Sequence, residues 1–337
     1  MLELQNSDIK KFSATNRLII LECIRRSWRV YVLEIPSGHL YIDRGDGDKK
    51  HIFSSCPPSV SYADGVISND KWLTYQTLMH GSISQPRTEL IHRDSSEDEM
   101  KLLIDELQRV VVKPRDASHG KGVTVGVTGI SDFKQAVTFA MQHNISAKSV
   151  IVQSQFSEDN RDLRILCIDF VFKAAIHRVP ARVYGDGHHT MRELIDDENT
   201  RTDRGLPYQT KLATIDKERA EVYLGSKIDS IPSEGQEISV LGIANYGAGG
   251  ETIDVTDSIP GWLRREAEQV AKTLGLNVAG VDYLTTNLKV ISELEAGGSD
   301  VALLEVNKAP ALCIHDEPTE GSNRHTVEAY LDLIASL

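Results

Sequence analysis

The chain has 337 residues, an ordinary globular composition and a formal net charge of −12. That length allows two or three domains around a large core. The acidity argues against nucleic acid as a partner but leaves room for a local basic pocket for a small phosphate compound, and the strand-sized apolar runs exclude a transmembrane helix, so no membrane partner is expected.

From the N-terminus, "MLELQNSDIKKFSATNR" lacks the apolar core of a secretory signal. The runs 17–24 and 29–35 open a small N-terminal α/β unit, and "SGHLYIDRGDGDKKHIF" predicts a hairpin turning at Gly45–Gly47. A connection at 54–59 leads to a helix over about 70–80 and a second over about 96–109, with a stripe of Met100, Leu103, Ile104 and Leu107. The strand "RVVVKP" follows, and then a helix expected to start at Ser131 as its N-cap, with Phe133, Ala136, Val137, Ala140 and Met141 on one face. "SVIVQSQF" reads as a strand, "DLRILCIDFVFKAAIHRVP" as a β-hairpin, and Thr190 with Glu193 as a capping box. A helix near 262–274, the strands "VAGVDYLT" and "VALLEVN", and a last helix in "HTVEAYLDLIASL" complete the chain. Strands and helices mix without strict alternation, which favours α+β layers over one doubly wound sheet. The four cysteines, Cys23, Cys56, Cys167 and Cys313, are scattered without a CxxC pair, which suits reduced thiols in a cytoplasm.

Three segments carry chemistry. In "VVVKPRDASHGKGVTVGV" (110–127), Lys113 ends an apolar strand and a Gly-rich loop returns to another strand. This is not a Walker loop, which would enter a helix. Gly120 and Gly122 allow backbone N–H groups to approach phosphate oxygens, with Lys113 and Lys121 adding charge; an exposed hairpin with solvated lysines would read the same way. Asp282 interrupts one apolar strand, and Glu305 and Asn307 interrupt another two residues apart, so the last two face one way. Buried carboxylates brought together repel, and a divalent cation with hard oxygen ligands resolves that; a salt bridge to Arg or Lys is the alternative. In "RVPARVYGDGHHTMRELI", Arg178 and Arg182 lie at positions able to face a carboxylate or phosphate, unless this is an ordinary edge hairpin.

In this order, "VVKP" with its Gly loop, "GDGHHTMRELIDDEN", "GGETIDVTD", "NVAGVDYLTT" and "LLEVNKAP…H…PTEG" resemble the ATP-grasp superfamily over roughly residues 65–337. The resemblance is strongest to the ATP-grasp domains of cyanophycin synthetase and bifunctional glutathione synthetase. It implies an ATP-grasp fold with an N-terminal unit over 1–66, a small lid subdomain over 67–150 and a catalytic subdomain over 151–337. It also implies an ATP-dependent carboxylate–amine ligase that forms an amide through an acyl phosphate. Magnesium, or manganese, would be held by Asp282, Glu305 and Asn307. Lys113 would reach the phosphates, with residues 115–122, including His119, Gly120, Lys121 and Gly122, as the lid. "VIVQSQF" would meet adenine through backbone groups, with Gln153 where an acid is usual and Phe156 at its end. Asp162 and Arg164 would lie near ribose and phosphates, and Arg178 would lead into the Gly-Asp-Gly turn as a catalytic cation with Lys113 and Arg164. Arg182, Asn245, Gly249, Gly250, His315 and Arg324 would line the substrate side.

Two positions depart from the pattern. A family "DKxxTK" becomes "DKWLTYQ", which keeps Lys71 but places Tyr75 where a second ATP lysine stands. The family's "LRxNxNxSTGG" becomes "VLGIANYGAGG", with Leu241 at the expected arginine. The resulting expectation is a stand-alone cytoplasmic ligase for amino acids or a small peptide, dimeric by family habit. A nucleotide-binding protein without turnover and a small-molecule kinase on the same fold remain as alternatives.

Overall fold

The computed structural model describes the chain except residues 1, 5, 80, 82, 84, 118–119, 146–147, 158–159, 207–209, 243, 245 and 287–289. Near the N-terminus, Ser13 caps the helix Ala14–Arg25 by accepting from the Asn16 N–H. An antiparallel sheet follows, with Leu2–Glu3, Arg29–Val32, His39–Asp43 and Lys49–Phe53 in that order. Its turn falls at Gly45–Gly47, as the sequence predicts. This unit does not close a core of its own. Phe12, Ile19, Ile20, Leu40 and Ile42 pack with Leu166, Ile168 and Val278 of the central sheet and with Val327, Tyr330 and Ile334 of the helix Thr326–Ser336.

Helices Tyr62–Asn69 and Lys71–Met79 lead into a second sheet, in the order Thr88–His92, Ser149–Ser154, Val110–Pro114, Thr124–Val127. The strand Ser149–Ser154 straddles the expected division at 150 and pairs with strands on its lid side. Helices Glu97–Leu107 and Ile130–His143 cover one face, against Val110, Val112, Val150 and Val152. Ser131 is not the cap of the second helix. Gly129 takes that position without a side-chain hydrogen bond, and the helix starts one residue before Ser131. Because strand side chains alternate, Lys113 and Gln153 stand on the opposite face of this sheet, where both are buried.

The central sheet is antiparallel throughout, in the order Glu251–Asp254, Val171–Val179, Asn160–Ile168, Val278–Thr286, Val301–Asn307. Leu163, Ile165, Cys167, Ala279, Val281 and Tyr283 bury one face against the helix Gly261–Thr273. The other face changes character along its strands. Leu166, Ile168 and Val278 lie under the N-terminal unit, and the alternate positions further along are Arg164, Asp162 and Asp282. A fourth cluster, built on Val183, Met191, Ile195, Ile215, Leu224 and Leu241, forms a small appendage between the central strands, and the Thr190–Glu193 capping box holds its first helix. No helix among the described residues is long and apolar enough to cross a membrane.

Candidate active site

Neighbouring strands place Arg164 opposite Asp282, and Asp282 opposite Glu305. Asp162 lies opposite Arg178 on the other side. The pairing of the last two strands slips by one residue between Asp282 and Tyr283. Val301 and Leu303 before the slip, and Val306 after it, all face the apolar core. The slip therefore turns Glu305 and Asn307 onto the face of Asp282, where an unbroken alternation would bury Glu305 beside Leu303.

Asp282 is fully buried and engaged by two guanidinium groups. Arg164 holds it with Nε and with Nη2 at 2.7 Å, and Arg178 Nη2 donates to its Oδ2 at 3.0 Å. Arg178 also grips Asp162 Oδ1 at 2.6 and 2.9 Å. Burial alone would raise the Asp282 pKa, but Arg164 and Arg178 outweigh it and hold the carboxyl below its ordinary range. Asp162 goes the other way. Burial pushes it up to about 6 against the pull of Arg178, and the Asp282 charge adds to the rise.

Asn307 Nδ2 donates to Asp282 Oδ2 at 3.3 Å and to Glu305 Oε1 at 3.5 Å, so the two carboxylates and the amide do converge. Their fit to a hard cation is unequal. Glu305 and Asn307 are half-buried, and the Glu305 contact is at the limit of a hydrogen bond, so these oxygens have coordination capacity to spare. Asp282 would join them by releasing an arginine. The ion-pair alternative thus describes Asp282, while the metal expectation fits Glu305 and Asn307.

From the lid sheet, Lys113 Nζ donates to Gln153 Oε1 at 2.9 Å, and Gln153 Nε2 donates to Thr88 Oγ1 at 2.9 Å. Burial pushes the Lys113 pKa down to about 8; Glu305 opposes the fall and Lys71 adds to it. Lys71, at the start of its helix, reaches Ala117 O at 2.6 Å. The charges of Glu305 on the central sheet and of Lys71 thus both act on Lys113. Asp162, Arg164, Arg178 and Asp282 lie on the same face of the central sheet as Glu305.

Other predicted residues fall elsewhere. Gln153 spends its side chain on Lys113 and Thr88, so an adenine contact there would be through its backbone. Phe156 is half-buried just beyond that strand, and Gly120 and Lys121 are exposed in the loop. Gly122 is packed: a Cβ there would lie 2.7 Å from Pro114 Cγ and 2.6 Å from His143 Cβ. His119 and Asn245 lie outside the described residues. Arg182 is taken by Glu251 and Glu237, at 2.9 and 3.1 Å. Arg324 is taken by Asp254 and Asp257, the latter at 2.7 Å. Gly249 is in the left-handed region (φ +105°) with Ile215 Cα 2.8 Å from where its Cβ would stand, and Gly250 is buried beside it. His315 is fully enclosed, both ring nitrogens lacking a hydrogen-bond partner among the described residues. Burial, then Arg164, push its pKa down to about 3, so it is neutral. Tyr75 stacks on Trp72 with centroids 5.7 Å apart. Leu241 is buried in the appendage core, so its side chain faces no phosphate site. The sequence reading allowed Asp282 a salt bridge but did not name Arg164 and Arg178 as its partners; the alternation Asp162-x-Arg164 in a hairpin with Arg178 was the available signal.

Residues 68–183 match a family model described as the ATP-grasp domain. The bifunctional glutathione synthetase of Pasteurella multocida superposes with a TM-score of 0.70 over 98% of this chain and 44% of that one, at 24% identity, which shows a shared fold. The fold is therefore the ATP-grasp fold. The chain is 31% identical over 277 residues to the cyanophycin synthetase of Trichormus variabilis, 80% of this chain and 29% of that protein. It is 28% identical over 329 residues to the glutathione biosynthesis bifunctional protein of Clostridium perfringens, 95% of this chain and 41% of that protein. The chain spans less than half the length of these curated relatives.

Proposed function

We propose that the chain is an ATP-dependent carboxylate–amine ligase, joining amino acids or a small peptide through an acyl phosphate with release of ADP and phosphate. One observation carries this reading: buried Lys113 lies within electrostatic reach of Lys71 and Glu305, and the central-sheet face that bears Glu305 also bears Arg164 and Arg178. Phosphoryl transfer to a carboxylate brings anions together, so catalysis rests on positioning and on neutralising charge. Lys113 and Lys71 would bind the nucleotide phosphates, and Arg178, anchored by Asp162 and Asp282, would orient the carboxylate substrate. Glu305 and Asn307 would hold magnesium or manganese, with Asp282 as a third ligand once an arginine lets go. The bound cation would supply further neutralisation of phosphate charge. Four free thiols and a dependence on ATP fit a cytoplasmic enzyme.

Tyr75 and Leu241, neither presenting a cation, favour a second reading: nucleotide binding without turnover. Screening pairs of carboxylates and amines for ADP release tests both. Release that requires both partners supports the ligase. Release with a carboxylate or alcohol alone and a stable phosphorylated product points to a kinase, and nucleotide binding with no release under any pair supports the second reading.

A further inference from the structure

Away from the candidate active site, the outer face of the N-terminal sheet carries a run of aromatic rings. His39 lies opposite Phe53 and Tyr41 opposite His51, so these four side chains share the face turned away from buried Leu40 and Ile52. The two histidines meet on the diagonal of this quartet, and both are exposed. His39 Nδ1 and His51 Nε2 are 3.0 Å apart, with ring centroids 5.2 Å apart and planes within 18°, so the two nitrogens lie between the rings and face each other. Neighbouring rings hold the pair from both ends. Phe53 packs on His39 with centroids 4.7 Å apart, and Tyr41 stacks on His51 at 4.5 Å. Gly38 lets Phe53 take that place, since a Cβ there would lie 2.7 Å from Phe53 Cε2.

Such a contact needs a proton on one nitrogen and a lone pair on the other. Burial, then the neighbouring His39, hold the His51 pKa below its ordinary value, which keeps that ring neutral near neutral pH. A metal ion can replace the shared proton if each neutral ring carries its own proton on the outward nitrogen, an exchange through solvent that releases none. Two metal–nitrogen bonds of about 2.0–2.1 Å, set at a right or a tetrahedral angle, span about 2.8–3.4 Å. The observed 3.0 Å falls in that range, and the broad χ2 torsion of histidine lets each ring turn its lone pair toward a common point on the solvent side. Imidazole suits copper, nickel and zinc, whereas magnesium takes oxygen ligands. We propose that His39 and His51 form a two-imidazole site for a divalent transition-metal ion, which would bridge the two strands of this hairpin with water completing its shell. The site is separate from Glu305 and Asn307, and the inference does not depend on the ligase reading.

The test titrates the whole chain, without an added histidine tag and in excess magnesium, with nickel(II) against a coloured chelator. Binding that magnesium does not displace is expected. His39→Gln and His51→Gln should each weaken nickel at least about tenfold, since losing even an outer-shell partner of a metal costs about 10–100-fold. The double variant should be little worse than either single one, because one remaining imidazole cannot chelate. Proton NMR reads the same site in the unaltered chain: of the eleven histidines, the assigned signals of His39 and His51 should broaden first as paramagnetic nickel is added. Melting curves identify a variant that fails to fold, and the broadening then decides alone. Absence of binding, displacement by magnesium, unchanged affinity in both single variants, or earlier broadening at other histidines such as the exposed His188 and His189 would overturn the proposal.

Discussion

Lys113 on the lid sheet is met by an uncharged amide, whereas Asp282 on the central sheet is met by two guanidinium groups and a second amide. Both are buried. The Asp282 network is saturated: its charges cancel within the protein, and removing one member strands another in a medium that solvates it poorly. Among the described residues, the Lys113 ammonium meets only an uncharged amide, which leaves its charge uncancelled there. Saturated groups hold a site in shape, and unsaturated ones are where a ligand has something to gain. Within one candidate site, the larger stability effects are thus expected at the Asp282 network and the larger effects on nucleotide binding at Lys113, and variants should separate them.

The largest expected effect is on stability. Arg178→Met leaves Asp162 and Asp282 less compensated and should lower unfolding free energy by roughly 3–5 kcal/mol, the usual scale for breaking a buried pair. Denaturant titration reads this directly, and a loss below about 1 kcal/mol would show that Arg164 alone suffices. Glu305→Gln should do the reverse. With Asn307 as its weak partner, stability should change by less than about 1 kcal/mol, while ADP release falls at least about a hundredfold for want of a metal-binding charge. A protein that melts early but works at normal rate would make Glu305 structural.

Lys113→Met is expected to raise the ATP concentration needed for half-maximal rate by about tenfold, with stability unchanged or improved because a buried charge is gone. An unchanged requirement would hand the role to Lys71. The smallest effect concerns pH. The folded-state pKa of Lys113 is lowered to about 8 from an ordinary 10.5. Between those values the unfolded chain binds more protons, so this residue's contribution to stability improves as pH rises through about 8. The stability difference between the unaltered protein and Lys113→Met should therefore shift in favour of the former from pH 7 to 10. A flat difference would mean that Lys113 titrates normally.

Much of the arrangement was legible because period-two and period-3.6 patterns mark faces. The stripe Phe133, Ala136, Val137 and Ala140 is buried as expected. The convergence of Asp282, Glu305 and Asn307 was legible too, but for an incomplete reason. A one-residue slip in strand pairing, with no signature in "VALLEVN", is what brings Glu305 to Asp282. Partners were the least legible part. Arg182 and Arg324 looked like free cations for a substrate, and acidic residues distant in sequence take both. Leu241 looked like a lost arginine and is a core residue. Sequence spacing locates a charge but not the countercharge that long-range packing supplies.

The ligase reading is tested most directly by following one oxygen atom. Once a substrate pair is found by ADP release, the carboxylate substrate is labelled with heavy oxygen and the released phosphate is examined by mass spectrometry. An acyl phosphate must surrender one carboxylate oxygen when the amine displaces phosphate, so the label should appear in inorganic phosphate, one atom for each ADP formed. Label in AMP with release of pyrophosphate, or unlabelled phosphate beside the amide product, would contradict the account.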